Sequence, residues 1–121
     1  MPATRLVIFR ETDGAVPLLD WFDGLPDKIV AKCRSRLERL RNLGHELRRP
    51  EADFLCNGIY ELRVGYQGVN YRMLYFFHHN VAAVVSHGLT KEREVPAVEI
   101  DRAVRRRSLY LLNPTRHTLE I

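Results

Sequence analysis

Two arginines set inside a run of strand-forming residues are the first sign of chemistry in this chain. The stretch from Asn57 to Arg93 reads NGIYELRVGYQGVNYRMLYFFHHNVAAVVSHGLTKER. β-Branched and aromatic residues fill three runs, and Gly65, Gly68, Asn80 and Gly88 punctuate them, which predicts three consecutive strands with tight connections. Arg63 and Arg72 fall on the first two strands; Lys91 and Arg93 follow the third. A buried, unpaired guanidinium is costly, so the expectation is an open sheet face that meets an anion. Alternation puts Tyr60, Leu62 and Val64 on one face, towards helices, and Ile59, Glu61 and Arg63 on the other. Arg72 shares its face with Asn70, Leu74 and Phe76. In a suitable hairpin register Arg63 and Arg72 reach one phosphate; a slip of one residue reverses every side chain.

The elements that must hold these residues follow from the rest of the chain. Thr4 to Phe9 is apolar on both faces and predicts a central or covered strand. Thr12 or Asp13 opens a short helix through Phe22, and Pro26 and Asp27 start a longer one to Asn42, stopped by Gly44. Ile29, Cys33, Leu37, Leu40 and Leu43 form its apolar stripe. Arg36 and Arg39 belong to its basic remainder, which is either a solvated face or an electrostatic footprint for a polyanion or an acidic protein. Gly44 to Cys56 is expected to be a loop carrying Arg48 and Arg49. Pro96 begins a last helix that ends at Asn113–Pro114, and the tail from about 113 is expected to be loose. The order β-α-α-β-β-β-α describes an α+β domain, with helices on one face of a small, mainly antiparallel sheet.

Composition bounds the class. The 121 residues suit a single domain, 1–121, and 45% hydrophobic residues suffice for a core. The net charge of +4 permits a polyanionic partner without demanding one. Sixteen of the nineteen Lys and Arg residues are arginine, which favours forked contacts to phosphate; a GC-rich genome gives the same bias without need. Cys33 and Cys56 make no paired-cysteine motif, no metal-ligand spacing stands out, and no cofactor is implied. No apolar run nears the roughly 20 residues a membrane span needs, and the charged start is unlike a signal peptide. The expectation is a cytoplasmic protein.

The runs NGIYELRV, YRMLYFF and HGLTKEREVPAVEIDRA resemble the phage-derived branch of the HigB/RelE-like toxins of bacterial toxin–antitoxin systems. The resemblance spans about residues 25 to 112. It implies a RelE-like fold and a small, metal-independent endoribonuclease that cuts mRNA, generally on the ribosome. It also implies an antitoxin partner, often one with a helix-turn-helix DNA-binding domain. Carried over by position, Arg63 and Arg72 match the family's sheet-borne cations, and Lys91 matches the first basic residue after its HGF. The chain departs where Leu89 replaces phenylalanine, where Glu92 stands in place of lysine with Arg93 one step later, and where Glu94–Val95 replaces Lys–Thr.

Such cleavage has the ribose 2′-oxygen attack its phosphate, leaving a 2′,3′-cyclic phosphate and a 5′-hydroxyl. Arg63, Arg72 and Arg93 suit the crowded phosphorane, being permanently charged donors. Lys91 or His87 are the candidates for proton exchange, His87 having the alternative of a strand-end histidine bonded to backbone. Arg36, Arg39, Arg48, Arg49 and Tyr66 are the candidate RNA contacts, Tyr66 either as a stacking platform or as a rim aromatic. The competing class is a basic module of the same fold that binds RNA or protein without cutting.

Overall fold

The computed structural model describes residues 4–90 and 94–120. Among these residues three α-helices and six strands follow the chain as β1 (Arg5–Phe9), α1 (Pro17–Asp23), α2 (Asp27–Leu43), β2 (Ala52–Cys56), β3 (Ile59–Tyr66), β4 (Val69–His78), β5 (Ala82–Thr90), α3 (Ala97–Leu112) and β6 (Thr118–Glu120), with a single 3-10 turn at Gly44–Glu46. The open sheet has the order β2-β3-β4-β5-β1-β6; only β1 and β5 run parallel.

The helices do not share one face. Leu6 and Ile8 of β1, Leu62 and Val64 of β3, and Met73 and Tyr75 of β4 bury against α1 and α2. The alternate residues Val7, Phe9, Ile59, Leu74 and Phe76 bury with Ala103 and Tyr110 of α3. The one-sided expectation is thus corrected: the face carrying Arg63 and Arg72 is itself apolar at Ile59, Leu74 and Phe76, and that surface needs a cover.

Two further strands replace expected loops. β2 occupies the end of the stretch read as a connection. It joins β3 through Asn57 and Gly58, both at positive φ (54° and 78°), the two-residue turn that Asn-Gly favours. β6 ties the tail back to β1, with His117 stacked on Phe9 at 5.1 Å and its Nδ1–H donating to the Arg10 carbonyl at 2.8 Å. The tail is therefore not loose up to residue 120. Helix α1 starts at Pro17 rather than at Thr12, and no side chain caps it. In α3, Tyr110 is buried, whereas Leu111 is 53% exposed.

β5 runs on through Gly88 to Thr90. A bulge makes this possible: Leu74 pairs with His87 but Tyr75 pairs with Val85, leaving Ser86 as the extra residue. Beyond the bulge, Gly88 lies under the Trp21 ring of α1 so closely that a Cβ there would collide with the indole.

Candidate active site

Alternation along β3 and β4 and the tight Gln67–Gly68 turn fix the register that the chemistry needs. Arg63 pairs directly with Arg72, so both arginines lie on one sheet face, the α3 side. The next row of the same face holds Asp53 of β2, Glu61 of β3, Leu74 of β4 and His87 of β5. Two acids in one row adjoin two bases in the next.

This square of charges is neutralised from within. Glu61 is 1% exposed, and its carboxylate meets Arg63 Nη2 and Arg72 Nη1, each at 3.1 Å. The contact to Arg72 has charge proximity without hydrogen-bond alignment, and Arg72 Nε, Arg63 Nε and Glu61 Oε1 are left without hydrogen-bond partners. Asp53 accepts from Arg49 at 2.8 Å and from Arg63 at 3.1 Å through the same oxygen. The Arg49 hydrogen bond, aided by the charges of Arg49 and Arg63, holds the Asp53 carboxyl below its ordinary pKa against the opposing effect of burial. The cleft over this square, about 470 Å³, is lined by Asp53, Glu61, Arg63, Arg72, Glu94 and Ile100, among others. Two of the expected residues, Lys91 and Arg93, lie outside the described residues.

The structure does not bring His87 to the arginine pair. Leu74, fully buried, stands between His87 and Glu61 in the cross-strand row, two strand spacings or about 10 Å across. At the bulge both Ser86 and His87 reach side chains of α3. Arg106 Nη1 donates to Ser86 Oγ at 3.4 Å; because the Glu99 carboxylate can only accept from Nε2, Nδ1 of the neutral ring takes the Ser86 hydroxyl proton at 2.7 Å. His87 Nε2–H then donates to Glu99 at 3.0 Å. Burial, followed by the charge of Arg106, lowers the His87 pKa; Glu99 opposes both. The imidazole is a neutral, fully bonded link between β5 and α3. It edges a separate groove of about 800 Å³ with Glu11, Arg102, Arg105 and Arg106, which shares none of its lining residues with the arginine cleft.

The expected RNA contacts divide. Arg36 donates to the Arg63 carbonyl at 2.6 Å and lies 3.7 Å from Glu51, while Arg39 grips Glu51 with two bonds of 2.9 and 2.7 Å. Both are occupied in joining α2 to the edge of the sheet. Tyr66 accepts from Lys28 at 3.1 Å, and the ammonium groups of Lys28 and Lys32 each lie 5.3 Å from its ring centre. Arg48 is exposed beside Arg49 on a neighbouring pocket with His45 and Tyr60, which shares Asp53 and Phe54 with the arginine cleft. Sequence reasoning missed Glu61 as the anchor of the pair and Asp53 altogether.

A protein-family model described as Phage derived protein Gp49-like (DUF891) matches residues 20–108. The chain belongs to that family. The matched span runs from α1 into α3 and takes in the whole charge square; β1 and β6 lie outside it. No curated protein matches the chain. Among the described residues of this Gp49-like chain, no three His, Cys, Asp or Glu side chains are grouped to hold a metal ion, and no helix is long and apolar enough to cross a membrane.

Proposed function

We propose that this Gp49-like protein is the toxin of a toxin–antitoxin pair in the HigB/RelE manner: a cytoplasmic, metal-independent endoribonuclease that cuts mRNA on the ribosome. The observation that carries the reading is the in-register Arg63–Arg72 pair on one sheet face, in a chain of a phage-derived family associated with such systems. Two guanidinium groups anchored on a rigid sheet are preorganised donors for a phosphorane, the kind of electrostatic support that costs no rearrangement at the moment of reaction. Arg72, which among the described residues meets Glu61 alone where Arg63 meets both Glu61 and Asp53, is the stronger candidate for direct contact. With His87 bonded at both nitrogens away from this cleft, proton exchange falls to Lys91 or to water. Arg93 would add positive charge. The expected antitoxin carries a helix-turn-helix domain and silences the toxin in the resting cell.

The second reading, a binding module that does not cut, is favoured by one observation: the arginines are already balanced by Glu61 and Asp53. One experiment separates the two. Single-turnover cleavage of ribosome-bound mRNA by EDTA-treated protein should yield 5′-hydroxyl ends. EDTA-sensitive cleavage or 5′-phosphate ends would sink the 2′-oxygen mechanism. RNA binding that needs Arg72 without any cleavage would leave the binding module.

A further inference from the structure

Glu61 and Asp53 both touch Arg63, yet their settings differ. Glu61 lies at the bottom of the square, its side chain 1% exposed, and spans both arginines. Arg63 and Arg72 face each other directly across the strands, where like charges repel, and the Glu61 carboxylate is the counter-charge common to both. Removing it would leave two adjacent guanidinium groups on a largely covered face. Asp53 sits at the rim on the edge strand β2, 20% exposed, and reaches Arg63 with one oxygen that it shares with the outlying Arg49. A carboxylate on one prong of a guanidinium presents the same anionic oxygen that a phosphodiester would present.

We propose that Asp53 is a built-in stand-in for a nucleic-acid phosphate on Arg63, displaced when the phosphodiester binds, while Glu61 is the fixed positioning residue that sets the two arginines as one receptor. This rests on the reading of the Arg63–Arg72 cleft as the site for RNA phosphate and extends it to the two carboxylates. The binding phosphate exchanges one anion for another at Arg63, so Asp53 weakens substrate binding by the worth of the ion pair it gives up. Arg49 remains beside Asp53 and receives it after displacement. Glu61 stays in place, because its side chain is 1% exposed and both arginines hold it.

The probe is a short, fully 2′-O-methylated RNA, which cannot be cut through its 2′-oxygens, so binding is read without cleavage. Asp53→Asn should bind it about three- to fivefold more tightly, the scale of one part-exposed ion pair. A general change in field would do the same, so two controls accompany it. Glu94→Gln, in the same cleft but without a described contact to Arg63, should gain less. In an Arg63→Ala background the gain from Asp53→Asn should vanish, as a double-mutant cycle requires of a direct coupling. Equal gains from both acid variants, or a gain that persists without Arg63, would overturn the stand-in. Glu61→Gln, verified as folded by its thermal transition, should bind the probe no better than Arg72→Ala; wild-type binding by folded Glu61→Gln would overturn the positioning role. If that variant does not fold, Glu61→Asp replaces it: the shortened carboxylate should lose affinity through misplaced arginines, and unchanged affinity overturns the role. If Arg72→Ala itself binds like wild type, the underlying phosphate site fails, an outcome distinct from the failure of Asp53 alone.

Discussion

At the scale of the single residue, burial decides which groups can react. Arg72 has 13% of its side chain exposed and, among the described residues, one counter-ion where Arg63 has two, so more of its guanidinium is left for an arriving oxyanion. Arg72→Ala should slow single-turnover cleavage by roughly 10²–10³-fold, the usual cost of one preorganised donor to a transition-state anion. Arg72→Lys should recover part of the loss, since the charge persists without the fork. His87 gives a prediction of a different kind. Its folded pKa is depressed by burial, so the unfolded chain takes up the proton first as pH falls. Stability should therefore be fully present above the ordinary histidine pKa of about 6.5 and decline as acidification passes below it. His87→Gln should flatten this decline in the thermal transition measured from pH 7.5 to 5, while His78, also depressed by burial, retains a smaller part. An unchanged pH profile in His87→Gln would show that the imidazole is not held neutral. The same substitution should leave the cleavage rate within about threefold of wild type, because His87 contacts α3 and not the arginine pair.

At the scale of the element, the question is which cations remain available to a polyanion. Arg36 and Arg39 look equivalent to Lys28 and Lys32 on a helical wheel, yet Glu51 and the Arg63 carbonyl occupy them. No carboxylate among the described residues pairs with Lys28 or Lys32, which gather on Tyr66 at the start of α2. The salt dependence of RNA binding should follow this division. Lys28→Gln with Lys32→Gln should lower the slope of log affinity against log salt by about 1.4 units, at roughly 0.7 per single-strand phosphate. Arg36→Gln with Arg39→Gln should instead lower the urea midpoint, since it unties α2 from the sheet edge, and change the slope less. The reverse ranking would return the contact to Arg36 and Arg39. The packing of β5 on α1 yields a third test of element geometry. Gly88→Ala drives a methyl group into the Trp21 ring and should cost about 1–3 kcal/mol in a urea melt, the range of overpacked sites. Little or no loss would mean that Trp21 can move aside.

How far the sequence carried depends on the range of the interactions involved. The three-strand stretch and the Arg63–Arg72 face were legible because a strand has a period of two and short turns fix register locally. Helix α2, with its start at Asp27 and its apolar stripe, was legible for the same local reason. β2 was also written in the chain, in Asn57–Gly58 between DFLC and IYEL, but the charged and proline-containing lead-in obscured it. Without β2, Asp53 has no place opposite Glu61, and the neutralised square cannot be seen. The Ser86 bulge resets the alternation of β5 and puts His87 on the face of the arginines, a one-residue shift that no periodicity announces, while Leu74 of β4 still stands between them.

At the scale of the whole molecule, the sheet is closed off at the β1 side by the segment that sequence reading left loose. β1 pairs with β5 on one edge and with β6 on the other, so both its hydrogen-bonding edges are used. His117, 3% exposed, lies parallel to Phe9, and Arg10 returns the contact through its N–H to the His117 carbonyl at 3.0 Å. Phe9 belongs to the core shared with α3, the helix that also carries Glu99 and Arg106 to His87. Removing residues 113–121 should therefore do two things. It should bare the β1 edge, an open template for pairing with another chain, and it should uncover Phe9. The expected cost is about 2–4 kcal/mol, from the lost ring burial and the strand hydrogen bonds together. Urea melts and size-exclusion chromatography of the truncated chain against the full one measure both effects, the second as concentration-dependent association. His117→Ala keeps the strand and removes only the ring, so it should cost part of that stability without the association. A truncated chain that stays monomeric with an unchanged urea midpoint would show that β6 is an appendage and that the core closes without it.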